Sequence, residues 1–177
     1  MLTIIGVDPG LAETGVGIVR GFGKNIQSYA FGCIRTAART PLPQRLQRIH
    51  REVQEILDAE IPDLVVVEDV FSLQRYPKSG ITLGQVCGVI MLAGANIGTR
   101  MVEVPVREAK QVLTGSGNAS KMQLEMAIRR ILRREEAIRP DHASDALGLA
   151  VIGLYRYEML DVLSSSRHGS SKQTTPR

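Results

Sequence analysis

The sequence contains no tryptophan, three phenylalanines and four tyrosines, so aromatic residues make up only 4% of its 177 residues. It also contains only two cysteines, Cys33 and Cys87, far apart and in apolar surroundings. This pattern does not indicate a disulfide scaffold, and it predicts two buried free thiols in a cytosolic protein. The hydrophobic fraction of 44% is enough for one domain with a core built mainly from aliphatic side chains.

Most of the chain lacks excess charge of either sign. The formal net charge is +4, but the segment 164–177 holds Arg167, Lys172 and Arg177 and no acid. Residues 1–163 hold 19 basic and 18 acidic side chains. We therefore predict one domain at 1–163 and a disordered, Ser/Thr-rich basic tail at 164–177. Nucleic-acid binding by the domain must then depend on where its charges lie.

Charge is missing altogether from residues 79–99. That length is borderline for a membrane span, which needs about 20 apolar residues. Five glycines together with Gln85 and Asn96 argue against a span. We predict a helix near Leu83–Ile97 that is buried against a sheet or shared with a second subunit.

Asp8 interrupts the first apolar run, so no secretory leader is indicated and we expect a cytoplasmic protein.

The N-terminal third has the pattern of three strands. Residues 3–7, 14–20 and 26–34 are rich in β-branched and aromatic side chains, and turn-forming glycines lie between them. They predict an antiparallel meander. Helical and strand-like segments alternate after it, with the order β-β-β-α-β-α-β-α-α-α, and the last strand is predicted at residues 101–106. This order predicts an α/β domain with a mixed sheet and helices on both faces. Ser120 and Gln123 match a capping box at the start of the second-last helix.

Two strands of this sheet end in an acid. Asp8 follows the first apolar run, and Glu68 follows the continuous run of residues 64–67. A right-handed crossover places these strands side by side and parallel, so both carboxylates reach one crevice. Carboxylates that close repel each other, and a hard divalent cation such as Mg²⁺ removes that repulsion.

The segment PDHASDALGLA opens the last predicted helix. His142 and Asp145 are three residues apart and share a helix face. Asp141 follows a proline and is a natural N-cap. Asp8, Glu68, Asp145 and His142 in one cleft predict two-metal hydrolysis of a phosphodiester.

Five segments in this order resemble the RuvC family of Holliday-junction resolvases: IIGVDPGLAETGVGIV, VVVEDVF, TLGQVCGV, REAKQVLTGSGNASK and PDHASDALGLA. The resemblance covers residues 2 to about 155. It implies an RNase H-like fold with a five-stranded sheet in the order 3-2-1-4-5. It also implies a homodimer, Mg²⁺-dependent resolution of four-way DNA junctions in recombination and repair, and a possible complex with a branch-migration motor.

By position, the metal-binding acids of the family fall on Asp8, Glu68 and Asp145. The family often has an acid at the place of His142. His142 at this place is consistent with a metal site of softer preference, such as one for Mn²⁺, or with a histidine that transfers a proton.

The same resemblance implies four DNA-binding residues. Phe71 matches an aromatic that meets bases at the junction centre, and Tyr76 lies in the same loop. Lys110 and Lys121 match basic residues near the scissile phosphate. The alternatives are a core position for Phe71 and ordinary solvated lysines. The arginines at 129, 130, 133 and 134 fit a solvated helix face.

Two rival functions remain open at this point. The motif VDPGLAETG is similar to the phosphate loop of actin-like and sugar-kinase ATPases, although these need two such domains. A junction-binding protein with the acids but no turnover is the non-enzymatic alternative. If the uncharged helix forms a dimer interface, Val89→Glu or Met91→Glu is expected to give monomers.

Overall fold

The computed structural model describes the backbone of residues 1–69 and 77–168 and the side chains of residues 1–69 and 80–157. The strands in this part of the chain are β1 (Leu2–Asp8), β2 (Glu13–Phe22), β3 (Asn25–Arg35), β4 (Leu64–Glu68) and β5 (Met101–Val104). The helices are α1 (Leu42–Glu60), α2 (Pro77–Asn96), α3 (Val106–Thr114), α4 (Lys121–Leu132) and α5 (Asp141–His168).

The strands form one mixed sheet in the order β3-β2-β1-β4-β5. β1 pairs antiparallel with β2 and parallel with β4, and β4 pairs parallel with β5. The register of β1 and β4 runs from Ile4 opposite Leu64 to Val7 opposite Val67. The predicted strand order is therefore confirmed, and the carboxyl ends of β1 and β4 lie side by side.

Helices cover both faces of the sheet. Alternate residues of β1 and β4 point to opposite faces, so Ile4 and Val66 pack in one buried cluster while Ile5 and Val67 pack in the other. The first cluster includes apolar residues of α3, α4 and α5, and the second includes those of α1 and α2. This explains the nearly continuous apolar sequences of β1 and β4, which are buried on both sides.

α5 lies unusually close to β1 and β2 because glycines face it. A Cβ atom on Gly15 would lie 2.0 Å from the carbonyl oxygen of His142, and one on Gly17 would lie 2.5 Å from the backbone nitrogen of Leu147. The backbone of Ala146 lies at the same contact, and its small side chain is fully buried. The glycines therefore fix how near the first turns of α5 come to the end of β1.

Several boundaries differ from the sequence-based predictions. α2 begins at Pro77, before the predicted Leu83. β5 ends at Val104 because Pro105 has no N–H for the sheet and instead precedes α3 as its N-cap residue. α5 continues to His168, past the predicted domain boundary at residue 163, and residues 169–177 lie outside the described part.

The structure also bears on the two cysteines and on the apolar helices. Both cysteines are free, with Cys87 buried and Cys33 only half-buried. Burial raises the pKa of each thiol to about 11, so both stay protonated and unreactive at neutral pH. None of the helices within residues 1–69 and 77–168 has the length and apolarity to cross a membrane.

Candidate active site

Asp8 and Glu68 meet at the carboxyl ends of β1 and β4. Asp8 is 4% exposed. Burial raises the pKa of Glu68 to about 9, and a hydrogen bond with the Asp8 carboxylate and the charges of Asp8 and Asp145 add to this rise. The crowding of these two carboxyl groups therefore favours the protonated form of Glu68. This is the crevice that the sequence predicts.

The first turn of α5 brings His142 to the same crevice. Its Nδ1 atom lies 2.6 Å from Oδ2 of Asp8. This hydrogen bond raises the pKa of His142, while partial burial opposes the rise. Because Asp8 accepts from Nδ1–H, the neutral ring carries its lone pair on Nε2. His142 thus has one nitrogen that is held by Asp8 and one that is able to bind a metal or accept a proton.

Asp145 lies one turn further along α5, between the acids and a lysine. Its Oδ2 atom is 3.6 Å from Nζ of Lys121. Burial and the charge of Asp8 raise the pKa of Asp145, whereas Lys121 and His142 lower it. The side chain of Lys121 is 67% exposed, so its ammonium group is accessible to an incoming anion.

The loop before α4 fixes the position of Lys121. Ser120 Oγ accepts a hydrogen bond from the backbone of Gln123 at 3.2 Å, and the Gln123 side chain accepts one from Ser120 N at 2.8 Å. This is the predicted capping box, and it makes Lys121 the first residue of α4. The sequence pattern does not single out Gln111, whose side-chain amide donates to the Gly115 carbonyl and accepts from Gly117 N, both at 2.9 Å. No local signal marks Gln111, because its role depends on the folded loop.

Asp141 does not cap α5 as predicted. It is the first residue of the helix, and the Pro140 carbonyl accepts the first backbone hydrogen bonds, from Ala143 and Ser144. The Asp141 carboxylate instead binds Arg139, with 2.6 Å between Oδ1 and Nη1. The prediction failed because the cap position fell one residue earlier than the sequence pattern indicates.

The remaining predicted DNA-binding residues have different outcomes. Lys110 lies in α3 and is half-buried. Its contact with DNA stays a prediction. Phe71 and Tyr76 lie outside the described residues. Arg134 lies over the ring of Phe31 at 5.4 Å, so at least this arginine packs against the protein.

The four predicted catalytic residues therefore converge. Within the described part of the chain, their side chains pair with one another and with Lys121, and no three acidic, histidine or cysteine side chains there are spaced as a metal-binding group. Each buried carboxylate in this crevice needs a proton or a positive partner. The donor set is rich in hard oxygen atoms, which suits Mg²⁺.

A mixed sheet in the order 3-2-1-4-5, with acids at the ends of its first and fourth strands, defines an RNase H-like fold with a nuclease-type acidic site. A family model described as "Crossover junction endodeoxyribonuclease RuvC" matches residues 4–153. The chain belongs to the RuvC family of crossover junction endodeoxyribonucleases, whose members are metal-dependent hydrolases. The resemblance in the sequence is thereby confirmed.

Individual relatives agree with this assignment. The chain is 36% identical over 165 residues to a crossover junction endodeoxyribonuclease RuvC of Syntrophomonas wolfei, covering 93% of this chain and 95% of the relative. It is similar to Thermus thermophilus RuvC solved in complex with a Holliday junction substrate, with a TM-score of 0.83, 29% identity and coverage of 90% and 96%. A yeast mitochondrial Holliday junction resolvase shares the fold, with a TM-score of 0.60, 12% identity and coverage of 93% and 83%.

Proposed function

We propose that this chain resolves four-way DNA junctions in recombination and repair by hydrolysing one phosphodiester bond in each of two opposed strands. The products are nicks with 5′-phosphate and 3′-hydroxyl ends. The observation that carries the proposal is the convergence of Asp8, Glu68, His142 and Asp145 on one crevice beside the exposed Lys121. Membership of this family argues against an ATPase, and junction cleavage distinguishes a nuclease from a scaffold that only binds.

The residues present fit a divalent metal. Asp8, Glu68 and Asp145 offer carboxylate oxygens, and His142 offers Nε2, which the hydrogen bond to Asp8 leaves available. We propose that they hold two Mg²⁺ ions, with Mn²⁺ as a substitute that the imidazole tolerates. The proton that Glu68 holds is the one that a cation would displace. Bound Mg²⁺ supplies the charge that stabilises the transition state of phosphodiester hydrolysis.

The other side chains orient the reacting groups. Asp8 fixes the ring of His142, so that Nε2 is held in one orientation toward the crevice. Lys121 lies at the edge of the acids, where its ammonium group offsets charge that develops on the phosphate and the leaving 3′ oxygen. The capping box keeps this lysine in place before DNA arrives, so that little reorganisation is needed.

We further propose a homodimer through one face of α2, which we name the outer α2 face and define by Ile81, Gly84, Gln85, Gly88 and Leu92. All five are exposed and uncharged, with Ile81 67% and Leu92 53% exposed. A Cβ atom on Gly84 or Gly88 would meet nothing within 4 Å, so a partner helix has room to approach closely. Two-fold symmetry would give a four-way junction one active site for each of two strands.

This face also changes which substitutions test the interface. Val89 is half-buried and packs against the cluster beneath the sheet, and Met91 is half-buried as well. A glutamate at either position perturbs the core, so loss of the dimer there would not identify an interface. Leu92 points outward and is the better test.

The decisive experiment incubates a labelled synthetic four-way junction with wild type and with Asp8→Asn in Mg²⁺. We expect wild type to nick two opposed strands, and Asp8→Asn to bind the junction without cutting it. Asp63→Asn is the matched control, since this acid lies in the α1–β4 segment and accepts a hydrogen bond from Thr3 N at 2.8 Å. Cutting by Asp8→Asn at the wild-type rate would refute the site, and binding without cutting by wild type would make the protein a scaffold. The motor partnership and cytoplasmic location stay predictions.

A further inference from the structure

An open cleft of about 700 Å³ lies beside the acidic site. It is bounded by the start of β2, the end of β3, the segment before α5 and the first residues of α4 and α5. Three of its residues are cationic. The lining residues are Glu13, Arg35, Lys121, Arg139, Pro140, Asp141 and His142. We call this the flanking cleft, and it shares Lys121 and His142 with the active site.

Two arginines in the flanking cleft are each held by one carboxylate. Arg35 Nε lies 2.7 Å from Oε1 of Glu13, and Arg139 Nη1 lies 2.6 Å from Oδ1 of Asp141. Their side chains remain 65% and 71% exposed. Each pair uses one nitrogen of the guanidinium group, so the other N–H donors of Arg35 and Arg139 bind no partner within the described residues.

We propose that the flanking cleft binds the backbone phosphates of the DNA strand next to the scissile phosphate, with Arg35 and Arg139 as the phosphate ligands. This inference rests on the proposed function and assigns residues that neither the motifs nor the family resemblance supplied. A strand that approaches Asp8, Glu68 and Asp145 meets negative charge and needs cations close by. Guanidinium groups match phosphate geometry and keep their charge at any physiological pH.

The carboxylate partners make these arginines displaceable ligands. Exposed ion pairs are weak because water and salt screen them. Glu13 and Asp141 therefore hold the two guanidinium groups over the flanking cleft without competing strongly against a phosphate. Removing Glu13 leaves Arg35 unpaired and lowers the local negative charge, so Glu13→Gln is expected to strengthen DNA binding.

The test measures the affinity of the full-length protein for a synthetic four-way junction by fluorescence anisotropy in EDTA, across a range of salt concentrations. Arg35→Ala and Arg139→Ala are each expected to raise Kd roughly fivefold near 0.1 M salt and to reduce the salt slope by about 0.9, as loss of one phosphate contact does. Cleavage at subsaturating DNA in Mg²⁺ is expected to fall by the same factor. Arg48→Ala is the matched control, because this exposed α1 arginine is also paired, with Glu52 at 2.6 Å, and does not line the cleft.

The outcomes separate this inference from the proposed function. If wild type binds and nicks the junction but Arg35→Ala and Arg139→Ala match Arg48→Ala in Kd and salt slope, the flanking cleft is not a phosphate site and the nuclease assignment stands. If wild type neither binds nor nicks the junction, both fail. An increase in Kd without a change in salt slope also overturns the inference, because the lost contact was then not with a phosphate.

Discussion

Asp8 Oδ2 and His142 Nδ1 lie 2.6 Å apart although 134 residues separate them in the sequence. The contact joins the end of β1 to the first turn of α5 and leaves Nε2 of His142 available. It explains how a histidine takes the place at which the family often has an acid. A neutral imidazole that is oriented by a carboxylate is a common form of metal-binding histidine.

If His142 is a metal ligand, removing its ring weakens the metal site. We expect His142→Ala to raise the Mg²⁺ concentration for half-maximal junction cleavage at least tenfold, since losing even an outer-shell partner of a metal ligand usually costs about tenfold or more. His142→Asp, which restores an oxygen donor, should recover much of this loss. His50→Ala is the control, since this α1 histidine contacts Asn96. A fall in maximal rate with an unchanged Mg²⁺ requirement would instead make His142 a proton-transfer group.

The close packing of α5 predicts a cost for any side chain at Gly15. We expect Gly15→Ala to lower the free energy of unfolding by about 1–3 kcal/mol, because the new methyl group must displace the backbone of His142. Urea unfolding measures this change. Gly32→Ala is the matched control in β3, where a Cβ atom meets nothing within 4 Å, and it should stay within about 0.5 kcal/mol of wild type. Equal stability of the two variants would contradict the described contact between β2 and α5.

Metal binding should stabilise the folded chain. Because a ligand that binds only the native state adds RT ln(1 + [L]/Kd), Mg²⁺ at ten times its Kd should add about 1.4 kcal/mol and raise Tm by a few degrees. Thermal unfolding in Mg²⁺ and in EDTA measures the difference. It should disappear in a Glu68→Gln variant and persist in Glu103→Gln, a β5 acid outside the crevice. An unchanged Mg²⁺ shift in Glu68→Gln would remove Glu68 from the metal site.

The outer α2 face predicts a specific loss of the dimer. Leu92→Glu should give monomers by sedimentation velocity at micromolar concentration, because it places a charge in an apolar interface. Phe22→Glu, at the exposed end of β2, should remain dimeric. Near-native circular dichroism of both variants would exclude unfolding as the cause. A dimeric Leu92→Glu protein would show that α2 serves only the core.

Local sequence patterns predicted the features that depend on neighbouring residues. Alternating apolar residues predicted the strands, whose full order came from the family resemblance, while the acids at the ends of β1 and β4 predicted half of the site, and Ser120 with Gln123 predicted the start of α4. Proline positions explain the errors, since Pro105 ended β5 early and the Pro140 carbonyl took the first turn of α5. A proline changes where a strand or helix ends, and a sequence pattern predicts that boundary only to within one or two residues.

Contacts across the chain were less predictable. In the sequence, Gly15 and Gly17 look like ordinary residues of a twisted strand. In the structure, their lack of a Cβ atom lets the backbone of α5 pack against β2. Gln111 reads as a polar helix residue, although it holds both sides of the loop before Lys121. Arg35 and Arg139 belong to different segments, and only the fold places them around one cleft. Each of these roles is defined by a partner that is distant in sequence.

The close packing of α5 against the glycines of β2 has a consequence for how the substrate is selected. His142 and Asp145 belong to a helix whose backbone packs directly against glycines of β1 and β2. These backbone contacts limit how far the two side chains can move to fit a substrate. A substrate that deforms easily is then favoured, and a branched junction, whose strands already part at the crossing point, deforms at a lower energetic cost than a straight duplex.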